Sequence, residues 1–230
     1  MKNPFRDLNR FECGLYLTSV LVIALSFVLS CILSGSGDLL SMTASLIGVT
    51  ALIFVAKGYV LGQILTVVFA VFYGIISFFF RYYGEMITYL GMTAPSAIAA
   101  AVAWMRHPYR DSSEVEICRV SFRQIRNLIL LTIGATLVFY FVLKAMDTAS
   151  LAVSTLSIAT SIVASCLAFM RSPYYALGYA ANDLILIVLW AIAAAQDISC
   201  LPMLMCFVMF LLNDLYGFIN WRRMLRKQAS

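Results

Sequence analysis

Charged residues are scarce in this sequence. Lysine, arginine, aspartate and glutamate together make up 12% of the 230 residues, whereas 63% of the residues are hydrophobic. A soluble domain of this length does not need so much apolar surface, but a protein whose helices lie in lipid does. The composition therefore excludes an ordinary soluble fold and predicts an all-α polytopic membrane protein.

Residues for metal and nucleophilic chemistry are also few. The sequence has one histidine, His107, and its six cysteines form no Cys-x-x-Cys pair. It has no phosphate-binding loop and no nucleophile–base pair, so we predict neither an enzyme nor a bound metal or cofactor. An intramembrane aspartyl protease would place Gly-x-Gly before one aspartate, whereas Asp183 and Asp214 each follow an asparagine.

Long apolar runs dominate the chain instead. A helix needs about 20 residues to cross the hydrocarbon core, and only structures that satisfy their own backbone hydrogen bonds are stable there. On this basis we predict eight helical spans, at residues 13–33, 39–56, 60–80, 84–104, 127–144, 150–170, 174–194 and 199–220. The first run is too long for a signal peptide and is expected to be retained.

Basic residues are distributed unequally between the two ends of these spans. With both termini cytoplasmic, the outer side holds only Arg81 and Lys144. The inner side then holds fourteen basic residues: Lys2, Arg6, Arg10, Lys57, Arg106, Arg110, Arg119, Arg123, Arg126, Arg171, Arg222, Arg223, Arg226 and Lys227. This asymmetry predicts that both termini are cytoplasmic. The net charge of +5 then belongs to loops at the lipid bilayer, and no nucleic-acid partner is expected.

The spans form a weak internal repeat. Residues 39–106 and 150–223 each hold three spans and each end in tryptophan followed by arginine, at Trp104-Met105-Arg106 and Trp221-Arg222-Arg223. Four crossings separate their starts, so both halves have the same orientation, as in transporters with parallel repeats. We predict two parallel three-helix bundles, and eight unrelated helices are the alternative. The predicted units are an accessory helix within 1–38, the bundles 39–106 and 150–223, a connector 107–149 and a basic tail 224–230.

The longest loop, residues 105–126, has a helical pattern of its own. Ser113-x-x-Glu116 is a candidate capping box. Apolar residues then recur at helical spacing, at Val115, Cys118, Phe122 and Ile125. The pattern predicts an amphipathic helix on the cytoplasmic leaflet, and a solvated charged linker is the alternative.

Polar side chains occur inside several spans. In the seventh span, Tyr175, Tyr179, Trp190 and either Asn182 or Asp183 fall on one helical face. In the eighth, Asn213, Tyr216 and Asn220 share a face and Asp214 lies on the adjoining strip, while earlier spans add Gln63, Tyr73 and Glu85. A charge in mid-bilayer costs on the order of 3 kcal/mol, which marks such residues as candidates for function. We expect Asn182, Asp183, Asn213 and Asp214 to surround one central cavity and to bind substrate. The alternatives are hydrogen bonds between helices, interfacial anchoring of the aromatic residues, and pairing of Glu85 with Arg81.

Three of these motifs resemble the PnuC family of bacterial vitamin transporters, best known for nicotinamide riboside. They are Tyr83-Gly84-Glu85-Met86, the Trp-x-Arg ends, and Asn213-Asp214-x-Tyr216-Gly217-Phe218-x-Asn220-Trp221, and the resemblance covers residues 39–224. It implies a SWEET-like pair of bundles, a homotrimer in the bacterial plasma membrane, and a substrate that moves down its gradient and is trapped by phosphorylation.

The substrate is less closely defined. The family's Trp-x-x-Trp-x-x-x-Asn motif matches here at Asn182, but its tryptophan positions hold Tyr175 and Gly178. Relatives look to carry thiamine, riboflavin or deoxynucleosides. Buried aspartates favour a cation, which nicotinamide riboside and thiamine both are. We predict import of nicotinamide riboside by facilitated diffusion with alternating access; another vitamin or nucleoside, or a non-transporting scaffold or sensor, is the alternative.

Overall fold

The computed structural model describes residues 4–35, 37–110, 112–148 and 150–229, and within them all regular secondary structure longer than an isolated bridge is helical. Lys2 lies outside the described residues. The helices are α1 (Arg10–Ser34), α2 (Leu39–Ala56), α3 (Val60–Phe79), α4 (Tyr83–Ile87), α5 (Ala94–Arg106), α6 (Phe122–Ala145), α7 (Leu151–Phe169), α8 (Tyr175–Gln196) and α9 (Leu201–Ala229). In these described ranges eight helical segments are long and apolar enough to cross a membrane, which confirms the predicted all-α, eight-span fold.

The fourth span is not a continuous α-helix. A π-helical segment, Thr88–Thr93, joins α4 to α5, and Pro95 follows at the start of α5. Proline has no N–H, and its ring collides with the carbonyl of the preceding turn, so a wider turn relieves the clash. The span is therefore locally distorted at mid-membrane depth.

The eight spans pack as two groups of three, and the remaining two spans lie outside these groups. Within the groups, α3 lies against both α2 and α5, and α8 lies against both α7 and α9. Between the groups, the first helix of each contacts the third of the other: α2 packs on α9, and α7 on α5. Outside them, α1 packs on α2 and α9, and α6 packs on α7.

One end of the molecule holds Arg106, Arg171 and Arg222 and is named the arginine-rich end. Two tryptophans join the groups there. Trp104 Nε1 donates to the carbonyl oxygen of Ala168 at 3.3 Å, and Trp221 Nε1 donates to that of Val55 at 3.0 Å. Their ring centroids lie 5.3 Å apart, and both side chains are buried. The Trp–Arg ends seen in the sequence are thus equivalent contacts from each third helix to the end of the opposite first helix.

The prediction of an amphipathic helix between α5 and α6 is wrong. The described residues between Arg106 and Phe122 form no helix, and Val115 and Ile117 are buried on either side of the exposed Glu116, which is the alternation of an extended chain. The backbone N–H of Val115 donates to the carbonyl of Gly58, and that of Cys118 donates to the carbonyl of Arg171, each at 3.0 Å. This segment therefore bonds to the turns that follow α2 and α7.

Two element boundaries also differ from the sequence prediction. The capping box that starts the next helix is formed by Ser121 and Gln124 rather than by Ser113 and Glu116, and α6 then runs unbroken through the membrane. At the C-terminus, residues 224–229 are not a separate tail but the last turns of α9. The reason is that Arg, Leu, Lys and Gln are good helix formers, so the helix continues past the span.

Candidate functional site

A small central cavity lies between the two groups of helices. Its volume is about 40 Å³, and its walls come from both groups. The lining residues are Gly48, Ala51, Leu52 and Val55 of α2; Gln63, Thr66 and Phe69 of α3; Tyr89 and Thr93 of the π-helix; and Tyr179, Asp183, Phe210 and Asp214 of α8 and α9. A polar site is therefore built where the two groups meet.

Two adjacent aspartates supply the charge of this cavity. Asp183 of α8 and Asp214 of α9 are each 3% exposed, and both line the same cavity. Oδ2 of Asp183 has no hydrogen-bond partner among the described residues. Since two buried like charges repel strongly, the pair is stable only with a shared proton or a cation beside it. None of the described lining residues is basic, so the cavity favours a positively charged ligand.

Aromatic rings form another part of the wall. The Phe69 ring lies 5.9 Å from Tyr89, edge to face, and 5.1 Å from Phe210. The Tyr179 hydroxyl lies 3.3 Å from that of Ser165, which fixes the ring at the cavity. Such rings stack on flat ligands and attract cations to their faces.

The two predicted asparagines do not line the cavity. Oδ1 of Asn182 accepts hydrogen bonds from three hydroxyl groups of α7: Ser157 at 3.0 Å, Thr160 at 2.9 Å and Ser161 at 3.1 Å. Nδ2 of Asn213 donates to Ser19 of α1 at 3.3 Å and to the carbonyl of Met209 at 2.7 Å. The expectation that four side chains surround one cavity is therefore wrong for the asparagines, because consecutive helical residues point about 100° apart.

Predicted aromatic residues lie beyond the cavity in both directions along α8. Trp190 Nε1 donates to the Tyr73 hydroxyl at 2.8 Å, and both side chains are fully buried. In the other direction, the Tyr175 hydroxyl donates to the Val55 carbonyl at 3.4 Å, and its ring lies 4.6 Å from that of Trp221. Tyr175 and Trp190 thus belong to two aromatic clusters that separate the cavity from the ends of the molecule.

The remaining predicted residues have other partners. The Tyr216 hydroxyl donates to Glu12 of α1 at 2.7 Å, and Asn220 Nδ2 donates to the Ala56 carbonyl at 2.9 Å. Glu85 is fully buried, and neither of its carboxyl oxygens has a hydrogen-bond partner in the described part of the chain. Its alternative pairing with Arg81 is wrong, because the Arg81 guanidinium lies 3.2 Å from Asp147.

Of the three residues predicted in the earlier spans, Gln63 lines the cavity, whereas Tyr73 and Glu85 do not. Thr66 and Phe69 also line it but were not predicted from the sequence. Gln63, Thr66 and Phe69 are three residues apart and share one face of α3. That spacing was the available signal, but a phenylalanine in a membrane span does not differ in sequence from ordinary packing.

Gly178 occupies a position where the family motif has tryptophan. A Cβ atom there would lie 2.9 Å from Cα of Ala164 on α7. The two helices therefore pack too closely for any larger residue. At Gly178 the chain therefore has a close contact between α8 and α7.

Eight spans, six of them in two facing groups with a cavity between the groups, are the arrangement of a membrane transporter. The family model described as nicotinamide mononucleotide transporter matches residues 38–223. The chain belongs to this family, the PnuC transporters, and is a multi-pass inner-membrane protein rather than an enzyme.

Individual relatives agree with this assignment. A nicotinamide riboside transporter PnuC of Neisseria mucosa is 26% identical over 197 residues, which cover 83% of this chain and 74% of the relative. A nicotinamide riboside transporter PnuC of Haemophilus influenzae is 25% identical over 190 residues, which cover 82% of this chain and 81% of the relative. The crystal structure of a vitamin B3 transporter PnuC matches with a TM-score of 0.82 at 25% identity, covering 96% of this chain and 94% of that one.

Proposed function

We propose that this protein imports nicotinamide riboside by facilitated diffusion with alternating access. The substrate joins a flat pyridinium cation to a ribose. Asp183 and Asp214 would balance the positive charge, while Phe69, Tyr89 and Tyr179 would stack on the ring. Gln63, Thr66 and Thr93 would hydrogen-bond ribose hydroxyls. The observation that carries the proposal is the aspartate pair in a cavity whose described lining has no basic residue.

Thiamine is the second candidate, because it too is a flat cation. Riboflavin and deoxynucleosides are neutral and gain less from two aspartates in a dry cavity. The names of the relatives from Neisseria and Haemophilus favour nicotinamide riboside over thiamine.

The size of the cavity supports alternating access. Ligand sites typically measure roughly 300–1,000 Å³, whereas this one is about 40 Å³. Substrate entry therefore requires the walls to separate. The proposed moving units are the bundles 39–106 and 150–223, whose reciprocal contacts support a parallel repeat of the SWEET-like kind.

The proposed orientation has both termini in the cytoplasm, supported by the excess of basic residues at that end. A homotrimer is the proposed assembly. It is supported by the resemblance to the family.

The test is a comparison of ligands and variants on the purified protein. Titration calorimetry should give tight binding of nicotinamide riboside, weaker binding of thiamine and little of deoxyadenosine. We expect Asp183→Asn and Asp214→Asn each to weaken binding of the cation roughly tenfold or more, the loss of a charge-assisted contact of about 1.5–3 kcal/mol. Asp147→Asn is the control, since that carboxylate is exposed and pairs with exposed Arg81. Equal binding by both cavity variants and the control would reject the proposal.

Transport is tested in proteoliposomes. Facilitated diffusion predicts that labelled nicotinamide riboside reaches the same concentration on both sides. It also predicts that ionophores leave the initial rate unchanged. An uptake that accumulates against a gradient or collapses with the proton gradient would instead indicate proton coupling, for which Asp183 is the candidate.

A further inference from the structure

A second, larger depression opens at the arginine-rich end of the molecule. It is a groove of about 640 Å³ between the start of α6, the end of α7, the turn before α8 and the last turns of α9. Its lining shares no residue with the central cavity. The volume is within the range of small-molecule sites, so this groove has room for a ligand of its own.

The wall formed by the extended segment before α6 is held in place by specific bonds. Gln228 Oε1 accepts from the backbone N–H of Ile117 at 2.8 Å, and Gln228 Nε2 donates to the carbonyl of Val115 at 3.0 Å. The N–H of Cys118 donates to the carbonyl of Arg171 at 3.0 Å. The segment is thus tied to α9 on one side and to the α7–α8 turn on the other, and the groove is preformed.

Three arginines line the groove, and no acidic residue is among its described lining. They are Arg119 of the extended wall and Arg222 and Arg226 of α9. None of the three has an ion pair within the described ranges, whereas neighbouring Arg171 lies 3.5 Å from Glu116. Guanidinium groups bind phosphate oxygens with paired hydrogen bonds, so the groove presents three cations to an anionic ligand.

Most of the remaining lining is apolar and runs along the spans. It includes Ile125, Leu128, Ile129, Val163, Leu167 and Leu225. At the rim, Tyr174 is 51% exposed, and its ring lies 6.0 Å from Phe218, over which the Arg222 guanidinium lies at 5.6 Å. Exposed tyrosine beside arginine is typical of the headgroup level of a membrane. The basic part of the groove therefore faces headgroups, and its apolar part faces acyl chains.

We propose that this groove binds an anionic diacyl phospholipid. Arg119, Arg222 and Arg226 hold the headgroup phosphates, and one acyl chain lies along Leu128, Ile129 and Val163. A phospholipid matches both parts of the groove. Its negative headgroup complements the arginines at the membrane surface, and its acyl chain complements the apolar lining in the hydrocarbon. The site is independent of the transported substrate.

The test uses the delipidated full chain in detergent, with phosphatidylglycerol and phosphatidylcholine of identical acyl chains as probes. Native mass spectrometry should show several-fold tighter retention of phosphatidylglycerol, and the melting temperature should rise with that lipid only. In the triple variant Arg119→Gln, Arg222→Gln, Arg226→Gln, this preference should be lost, so that the two lipids are retained equally. The matched control, Arg106→Gln, Arg123→Gln, Arg223→Gln, removes the same charge outside the lining and should keep the preference.

A second variant addresses the apolar half without altering charge. Val163→Trp fills the groove and should weaken both lipids while leaving binding at the central cavity intact. The proposal is overturned if the two lipids bind equally to the wild type, if the control loses as much preference as the groove variant, or if glycerol phosphate stabilises as well as the lipid. It is also overturned if the groove variant changes the mass of the assembly, which would make the groove a contact between copies.

Discussion

Asn182 and Asp183 are neighbours in the chain, but their side chains serve different contacts. Asn182 accepts three hydroxyl hydrogen bonds from α7, whereas Asp183 lines the cavity beside Asp214. One residue therefore fixes α8 against α7, and the next one gives the cavity its charge. Mutations at the two positions should have separable effects.

Replacing Asn182 with alanine tests this separation. We expect Asn182→Ala to lower the free energy of unfolding by about 1–2 kcal/mol, since hydrogen bonds between membrane helices contribute about that much. Asp183→Asn should leave the melting temperature nearly unchanged but weaken binding of nicotinamide riboside. Thermal unfolding and calorimetry on the same samples distinguish the two. If Asn182→Ala loses affinity without losing stability, the original prediction that Asn182 binds substrate is right.

At the scale of elements, α1 is attached to the rest of the protein by polar contacts. Glu12 is buried at its start and accepts hydrogen bonds from Lys57 of the α2–α3 turn at 2.9 Å, from Tyr216 of α9 at 2.7 Å and from the backbone N–H of Asn9 at 2.7 Å. Further along, Ser19 accepts from Asn213. Two predicted substrate residues, Tyr216 and Asn213, thus hold the accessory helix in place.

Glu12→Gln should loosen this attachment. The amide keeps an acceptor for Tyr216 but loses the ion pair with Lys57, whose side chain is 12% exposed. The ammonium keeps its hydrogen bond to the Asp7 carbonyl at 2.9 Å, but leaving a largely buried ammonium without its counter-charge costs about 3 kcal/mol. We expect a lower melting temperature and faster hydrogen exchange in α1, with unchanged affinity for substrate. The exposed Asp147→Asn serves again as control, and a loss of affinity in Glu12→Gln or Tyr216→Phe at normal stability would instead place Tyr216 in the binding site.

At the scale of the whole molecule, the two bundles are locked at the arginine-rich end. Trp104 and Trp221 each donate to a backbone carbonyl of the opposite bundle, and the Tyr175 ring lies against Trp221. These contacts must break if the cavity opens towards that side. Under the proposed alternating-access mechanism, they would be the contacts that close the cavity on that side.

A double-mutant cycle on the two tryptophans measures this closure. Trp104→Phe and Trp221→Phe each remove one interbundle hydrogen bond, and the direct ring contact should couple them by roughly 0.5–1.5 kcal/mol. Each variant should make a cysteine placed at Val55 more reactive to a thiol reagent added from the arginine-rich side. Trp190→Phe, in the opposite cluster, is the control. Unchanged reactivity in both variants would show that these contacts do not close the cavity.

Much of the fold could be predicted from the sequence. The eight spans follow from length and hydrophobicity, because lipid imposes helices on any long apolar run. The segment 112–121 could not be predicted in the same way. Its apolar residues fit a helical period as well as an extended one, and hydrogen bonds to Gly58 and Arg171, remote in sequence, decided for the extended form.

The sequence by itself determined which residues are too polar for lipid and must face protein: Asp183, Asp214, Gln63 and the asparagines. Only the tertiary structure decided which of them share a cavity. Helical periodicity fixes the relative direction of side chains on one helix, but not the rotation of that helix against its neighbours. The packing of α8 on α7 and of α9 on α1 turned the asparagines outward from the cavity and left the two aspartates in its lining.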